Sequence, residues 1–107
     1  MAYKVLGQSN PAATTATTLY TVPAASSAVV STISVCNQAS TAATFRIAVR
    51  PAGATLEAKH YIVYGATVPA SDSTMITVGL TLATTDVVTV YASSANLSFN
   101  AYGSEIA

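Results

Sequence analysis

Val, Thr, Ile and Tyr gather in short runs separated by Pro, Gly, Asn and Ser, which is the pattern of β-strands. The runs predict eight strands, near residues 3–7, 17–22, 28–36, 44–50, 59–64, 74–82, 87–92 and 97–102. Several alternate with period two, as a strand with one buried face requires. Phe45, Ile47 and Val49 fall on one face, with Arg46, Ala48 and Arg50 on the other. Val29, Ser31, Ile33 and Val35 oppose Val30, Thr32, Ser34 and Cys36, and Leu97, Phe99 and Ala101 oppose Ser98, Asn100 and Tyr102. No window carries a helical period, and the Ala-rich segments are broken by Thr and Ser, which disfavour helix interiors. The fold class expected is all-β.

An internal echo refines the architecture. The run TVPAASS at 21–27 returns as TVPASDS at 67–73, in each case between two predicted strands. Proline cannot donate to a ladder, so each copy should end a strand and open a turn, at equivalent edges of two packed sheets. The 107 residues allow one domain, 1–107. Eight short strands at this spacing predict an antiparallel β-sandwich, immunoglobulin-like or jelly-roll. A small closed barrel is the structural alternative. Antibody-type markers are missing, since the chain has no Trp and a single Cys.

Charge narrows the range of functions. Only 7% of the residues are charged, four basic and four acidic, against about a quarter in an ordinary domain. Such sparse, balanced charge argues against nucleic-acid binding and against attraction to an anionic membrane. No run approaches the roughly 18 apolar residues of a spanning helix, and residues 1–10 lack a secretory core segment. Cys36 excludes an intramolecular disulfide and fits folding in a reducing cytoplasm.

The residues offer no catalytic constellation. His60 is the lone histidine, in the run predicted as the fifth strand, and no His/Cys cluster has zinc spacing. There is no Gly-x-Ser-x-Gly elbow, and Glu57, Asp72, Asp86 and Glu105 are scattered rather than paired. The five glycines are isolated, so no phosphate-cradling loop exists. The expectation is a non-enzyme with no cofactor and no metal.

Two groups of side chains point to contact instead. Arg46 and Arg50 emerge from the same strand face, either as a solvated strip or as an intersubunit strip meeting an acid such as Glu57 or Glu105 of a neighbour. Simple alternation places Tyr61 and Val63 on one face and His60, Ile62 and Tyr64 on the other, so at least one of these aromatics lies outside the core. Outward Tyr61, Tyr64 or Tyr91 could contact a protein neighbour or a sugar. The candidate interface is therefore Arg46, Arg50, Tyr61, Tyr64 and Tyr91.

The opening run MAYKVLGQ (1–8), TTLYTVPA (17–24), STISVCNQASTAATFRIAVRPAGA (31–54) and TTDVVTVYASSANLSFNAYGSEI (84–106) together resemble small virion structural proteins of tailed bacteriophages, especially those infecting cyanobacteria. The resemblance spans nearly the whole chain and rests on structural motifs, so it names no active residue. It implies a homo-oligomeric virion component, made in the bacterial host cytoplasm, with other virion proteins as partners. The specific expectation is a capsid decoration (cement) protein. A tail, neck or fibre-attachment component and a glycan- or receptor-binding sandwich are the alternatives.

Overall fold

The computed structural model describes residues 2–106; Met1 and Ala107, which the single-domain expectation takes in, lie outside them. Eight strands follow the predicted order: β1 (Ala2–Ser9), β2 (Thr17–Thr21), β3 (Ser27–Asn37), β4 (Ala43–Arg50), β5 (Tyr61–Val68), β6 (Ser73–Leu82), β7 (Val87–Ala92) and β8 (Leu97–Ile106). They form two four-stranded antiparallel sheets, in the orders β1-β8-β3-β6 and β2-β7-β4-β5. We call these the first and second sheet. Every connection crosses between sheets except β4 to β5, which pair side by side. This winding is that of an eight-stranded jelly roll, which decides between the two sandwich types expected.

The echo is structural. Both copies carry the chain from the second sheet to the first, β2 to β3 and β5 to β6. Both turn on a residue with positive φ at the matching position, Ala25 at 60° and Ser71 at 54°. The second copy is tied down by Asn37, which is 1% exposed. Its Nδ2 donates to the carbonyls of Val68 (3.1 Å) and Pro69 (3.3 Å) and to that of Thr41 (2.9 Å), while its Oδ1 accepts the Ala39 N–H.

Apolar residues of both sheets meet in one core. Val22, Val30, Ile33, Val35, Phe45, Ile47, Val68, Val88, Val90, Leu97 and Phe99 are each at most 1% exposed. Phe45 and Phe99 pack edge to face across the sandwich, centroids 6.1 Å apart at 67°, the geometry that ring quadrupoles favour. The alternation expected for β4 and β8 holds, with Phe45 and Ile47, and Leu97, Phe99 and Ala101, all turned inward. That expected for β3 does not. Ser31 is an extra residue against β8, so Val30 joins Ile33 and Val35 in the core instead of facing away from them. A bulge shifts the inward phase by one residue.

Close backbone approach explains two of the glycines. A Cβ on Gly103 would sit 1.9 Å from the Val29 carbonyl oxygen, and one on Gly7 would sit 2.1 Å from that of Leu19. Gly7 thereby lets edge strand β1 of the first sheet press against edge strand β2 of the second. The run predicted as a strand at 59–64 begins later than expected: Ala58–His60 is a 3₁₀ turn and β5 starts at Tyr61.

Candidate functional site

The expected interface residues lie on the outward face of the second sheet. Arg46 on β4 is paired with Tyr91 on β7 and with Tyr64 on β5, so the three stand in one row across adjacent strands. The guanidinium carbon of Arg46 is 4.2 Å from the ring centroid of Tyr64 and 4.2 Å from that of Tyr91. Each ring thus gives one π-face to the cation, within the range of a cation–π contact.

Tyr61 joins the cluster from a neighbouring row because of a bulge. Val63 pairs with Ile47 and Tyr61 with Ala48, which leaves Ile62 as an extra residue on β5. Strict alternation would turn Tyr61 inward beside Val63; the extra residue turns it outward beside Tyr64. The Tyr61 ring meets the Tyr64 ring edge-on, 4.9 Å between centroids at 84°. A second extra residue, Gly65 with φ of 81°, sits between the Tyr64 and Ala66 pairs. The face division expected for residues 60–64 is thereby corrected. Tyr61 and Tyr64 share the outward face, and His60 belongs to the preceding turn.

Arg50 stands apart from the cluster. Its Nε donates to Thr89 Oγ1 (3.0 Å) and its Nη1 to the carbonyls of Gly53 (3.3 Å) and Ala54 (2.9 Å). The guanidinium therefore fastens the Pro51–Gly53 3₁₀ turn to the sheet. That turn needs fastening, since Ala52 takes a positive φ of 52°. Asp86 holds it from the other side, accepting the Ala52 N–H with Oδ1 and the Ala83 N–H with Oδ2, both at 2.9 Å.

Among the described residues the other Lys and Glu side chains lie beside one another in pairs. Glu105 pairs with Lys4 at 2.6 Å and accepts the Tyr20 hydroxyl at 2.5 Å. Lys4 first, then the Tyr20 hydrogen bond, hold the Glu105 carboxyl below the ordinary carboxylate value. Burial first, then the hydrogen bond and charge of Glu105, push the Tyr20 phenol well above its ordinary value. Glu105, expected as an acid for a neighbour's arginine, is consumed by its own chain. Glu57 lies 3.6 Å from Lys59, both largely exposed. Buried His60 accepts the Glu57 N–H on Nδ1 at 3.0 Å and donates its backbone N–H to the Glu57 carbonyl, so it caps the 3₁₀ turn. Among the described residues no group of three or more His, Cys, Asp or Glu side chains could hold a metal ion.

Pattern reasoning missed the opposite face. Following the pairing of the first sheet outward gives Tyr3 and Val5 on β1, Tyr102 on β8 and Met75 on β6, exposed by 85, 48, 36 and 69%. Between them stand Thr32, Ser34, Thr77, Thr81, Asn100 and Gln8, and among the described residues these outward rows contain no charged side chain. Gln8 donates from Nε2 to Asn100 Oδ1 at 2.7 Å across the β1–β8 pair. An open depression of about 360 Å³ lies among Tyr3, Lys4, Val5, Ser31, Tyr102 and Gly103, and Lys4 is the charged residue of its lining, paired with Glu105. The sequence did hold a signal, since the runs forming β3 and β6 have no charged residue. Reading it required knowing that both belong to one sheet. The chain extends 42 × 28 × 19 Å, so these two broad faces dominate its surface. Comparison with known protein families, with curated proteins and with solved structures yields no match to this chain.

Proposed function

We propose that this protein is a non-enzymatic structural component of a tailed-phage virion, acting as a decoration (cement) protein on the capsid. The observation that carries the reading is the outward face of the first sheet, uncharged across four strands with Tyr3, Val5, Met75 and Tyr102 exposed. A solvated face of this size ordinarily carries interspersed charge, and apolar side chains on an uncharged surface favour burial against another protein. The resemblance to small virion structural proteins supplies the setting. The jelly roll is also an architecture of viral capsid and lectin domains, an analogy of fold that carries less weight than the faces themselves.

In this role the protein, as a homo-oligomer, adds buried area across joints between major capsid subunits. Binding only the assembled shell, it stabilises that shell by mass action. Neither nucleic acid nor membrane is a partner. Electron microscopy of purified virions carrying the labelled protein tests the assignment. Label distributed over the head is the expected result, whereas label confined to the tail would replace the cement role by a tail, neck or fibre-attachment role. The convergence of Tyr61, Tyr64 and Tyr91 favours a second reading, a glycan- or receptor-binding module, for which a glycan array is the direct assay. Against it stands the occupation of one face of both Tyr64 and Tyr91 by Arg46.

A further inference from the structure

We infer that Arg46, held between Tyr64 and Tyr91, is a receptor for one side-chain carboxylate, an Asp or Glu presented on an apolar surface of a neighbouring protein. The inference rests on the proposed role in protein–protein contact and names the chemistry of one partner surface.

Of the four Lys and Arg side chains, three are engaged within the chain. Lys4 pairs with Glu105, Lys59 lies beside Glu57, and Arg50 donates to Thr89, Gly53 and Ala54. Among the described residues Arg46 has only the two rings. A ring face attracts the positive charge but accepts no strong hydrogen bond, so the in-plane N–H groups keep their donor capacity. Five such donors in a rigid fork match the two oxygens of a carboxylate.

The rings also prepare the site. A free arginine loses side-chain entropy when it is fixed by a partner. Arg46 is already braced at 4.2 Å from both sides, which lowers that loss on binding. Tyr61, Tyr64 and the exposed Ile62 extend apolar surface beside it. Pressed against a partner, they would exclude water and raise the worth of an ion pair at the centre.

The number of charges selects the ligand. Among the described residues Arg46 is the one Lys or Arg without a carboxylate or carbonyl partner, since Lys4 and Lys59 lie beside Glu105 and Glu57 and the Arg50 guanidinium is turned to the Gly53 and Ala54 carbonyls. One positive charge balances a carboxylate but not a phosphate monoester, which carries about −1.5 to −2 at neutral pH. Sugar stacking needs open ring faces, and Arg46 covers one face each of Tyr64 and Tyr91. The favoured occupant is therefore an acidic residue of a protein flanked by apolar neighbours.

The test is an NMR titration of the full chain at low salt with the blocked peptide acetyl-Leu-Glu-Leu-amide. Its glutamine counterpart, inorganic phosphate and glucuronate are run in parallel. The expected result is a saturable shift of the Arg46 side-chain N–H and of the Tyr64 and Tyr91 ring signals with the glutamate peptide alone. In Arg46→Lys, with a native circular dichroism spectrum, the ring shifts should need at least about tenfold more peptide, since the charge stays and the fork is lost. No saturable shift, equal response to the glutamine peptide, or unchanged affinity in Arg46→Lys would overturn the inference. Stronger binding of glucuronate or phosphate would overturn it in favour of a sugar or phosphate ligand. The titration involves no phage particle, so a wild-type protein that binds the peptide but is absent from virions would refute the proposed function alone.

Discussion

Phe45→Ala tests the two-sheet core at its midpoint. Phe45 is 1% exposed on β4 and faces Phe99, fully buried on β8, so the pair bridges the sheets. A buried Phe removes at least about 150 Å² from water, worth roughly 3–4 kcal/mol at about 25 cal/mol per Å². Alanine recovers little of that, and a cavity between two hydrogen-bonded sheets cannot collapse freely, so the expected loss is about 3–5 kcal/mol. Against a total stability of about 5–15 kcal/mol for a domain, this is a large fraction. Phe45→Leu, which keeps much of the volume, should cost no more than about 1.5 kcal/mol. A double-mutant cycle with Phe99→Leu should return a coupling of about 0.5–1.5 kcal/mol for the edge-to-face contact. Urea unfolding followed by tyrosine fluorescence and far-ultraviolet circular dichroism measures all four variants, Phe45→Ala, the two leucine singles and their double mutant. A loss under about 1.5 kcal/mol in Phe45→Ala, with an unchanged denaturant slope, would refute the placement of this ring at the core.

Other predictions follow from polar contacts. Asn37→Ala should cost about 2–4 kcal/mol in the same unfolding assay, because three carbonyls lose a donor at a position 1% exposed. Arg50→Ala should cost about 1–2 kcal/mol through its lost hydrogen bonds and speed proteolysis near Pro51–Gly53. Since the folded-state value of Glu105 is depressed, the unfolded chain binds more protons near pH 4.5, and this contribution, present above that pH, is lost as pH falls through the folded value. The folded-state value of Tyr20 is raised, so the unfolded chain ionises first above pH 10 and stability falls there. Thermal melts across both ranges should show both slopes in the wild type, the acid slope reduced in Glu105→Gln and the alkaline slope reduced in Tyr20→Phe.

The existence of all eight strands was legible because β-branched and aromatic runs end at Pro, Gly, Asn or Ser, a purely local signal. So was the equivalence of the two TVPA turns, whose positive-φ residues Ala25 and Ser71 occupy matching places. Strand order was not legible, since immunoglobulin-like and jelly-roll windings use similar strands and differ only in which ones pair. The cluster was half legible. Arg46, Tyr64 and Tyr91 were outward candidates, yet their meeting depends on the β4–β5 and β4–β7 registers. Arg50 and Glu105 looked available because a charge in a sequence shows no partner; the Gly53 and Ala54 carbonyls, and Lys4 with Tyr20, reach them only once the chain folds.

The two errors of face share one cause, and it bears on how the molecule can be approached. Tyr61 and Val30 were misplaced by single extra residues, Ile62 on β5 and Ser31 on β3. Extra residues recur on every edge strand: Leu6 on β1, Leu19 on β2, Ile62 and Gly65 on β5, and the pair Val78–Gly79 against Ser31 on β6. A bulge breaks the even spacing of free N–H and C=O groups that an incoming strand must match, and it twists the edge. Strand addition is therefore limited to short stretches at all four edges, in a chain whose low charge would otherwise leave them weakly defended. What stays continuous is side-chain surface on the two faces. One is uncharged around Tyr3, Val5, Met75 and Tyr102, while the other carries a braced cation among tyrosines. Faces so different in charge do not suit one occupant surface, so on the proposed reading the protein lies between two chemically distinct surfaces, the one against Arg46 apolar with a single carboxylate.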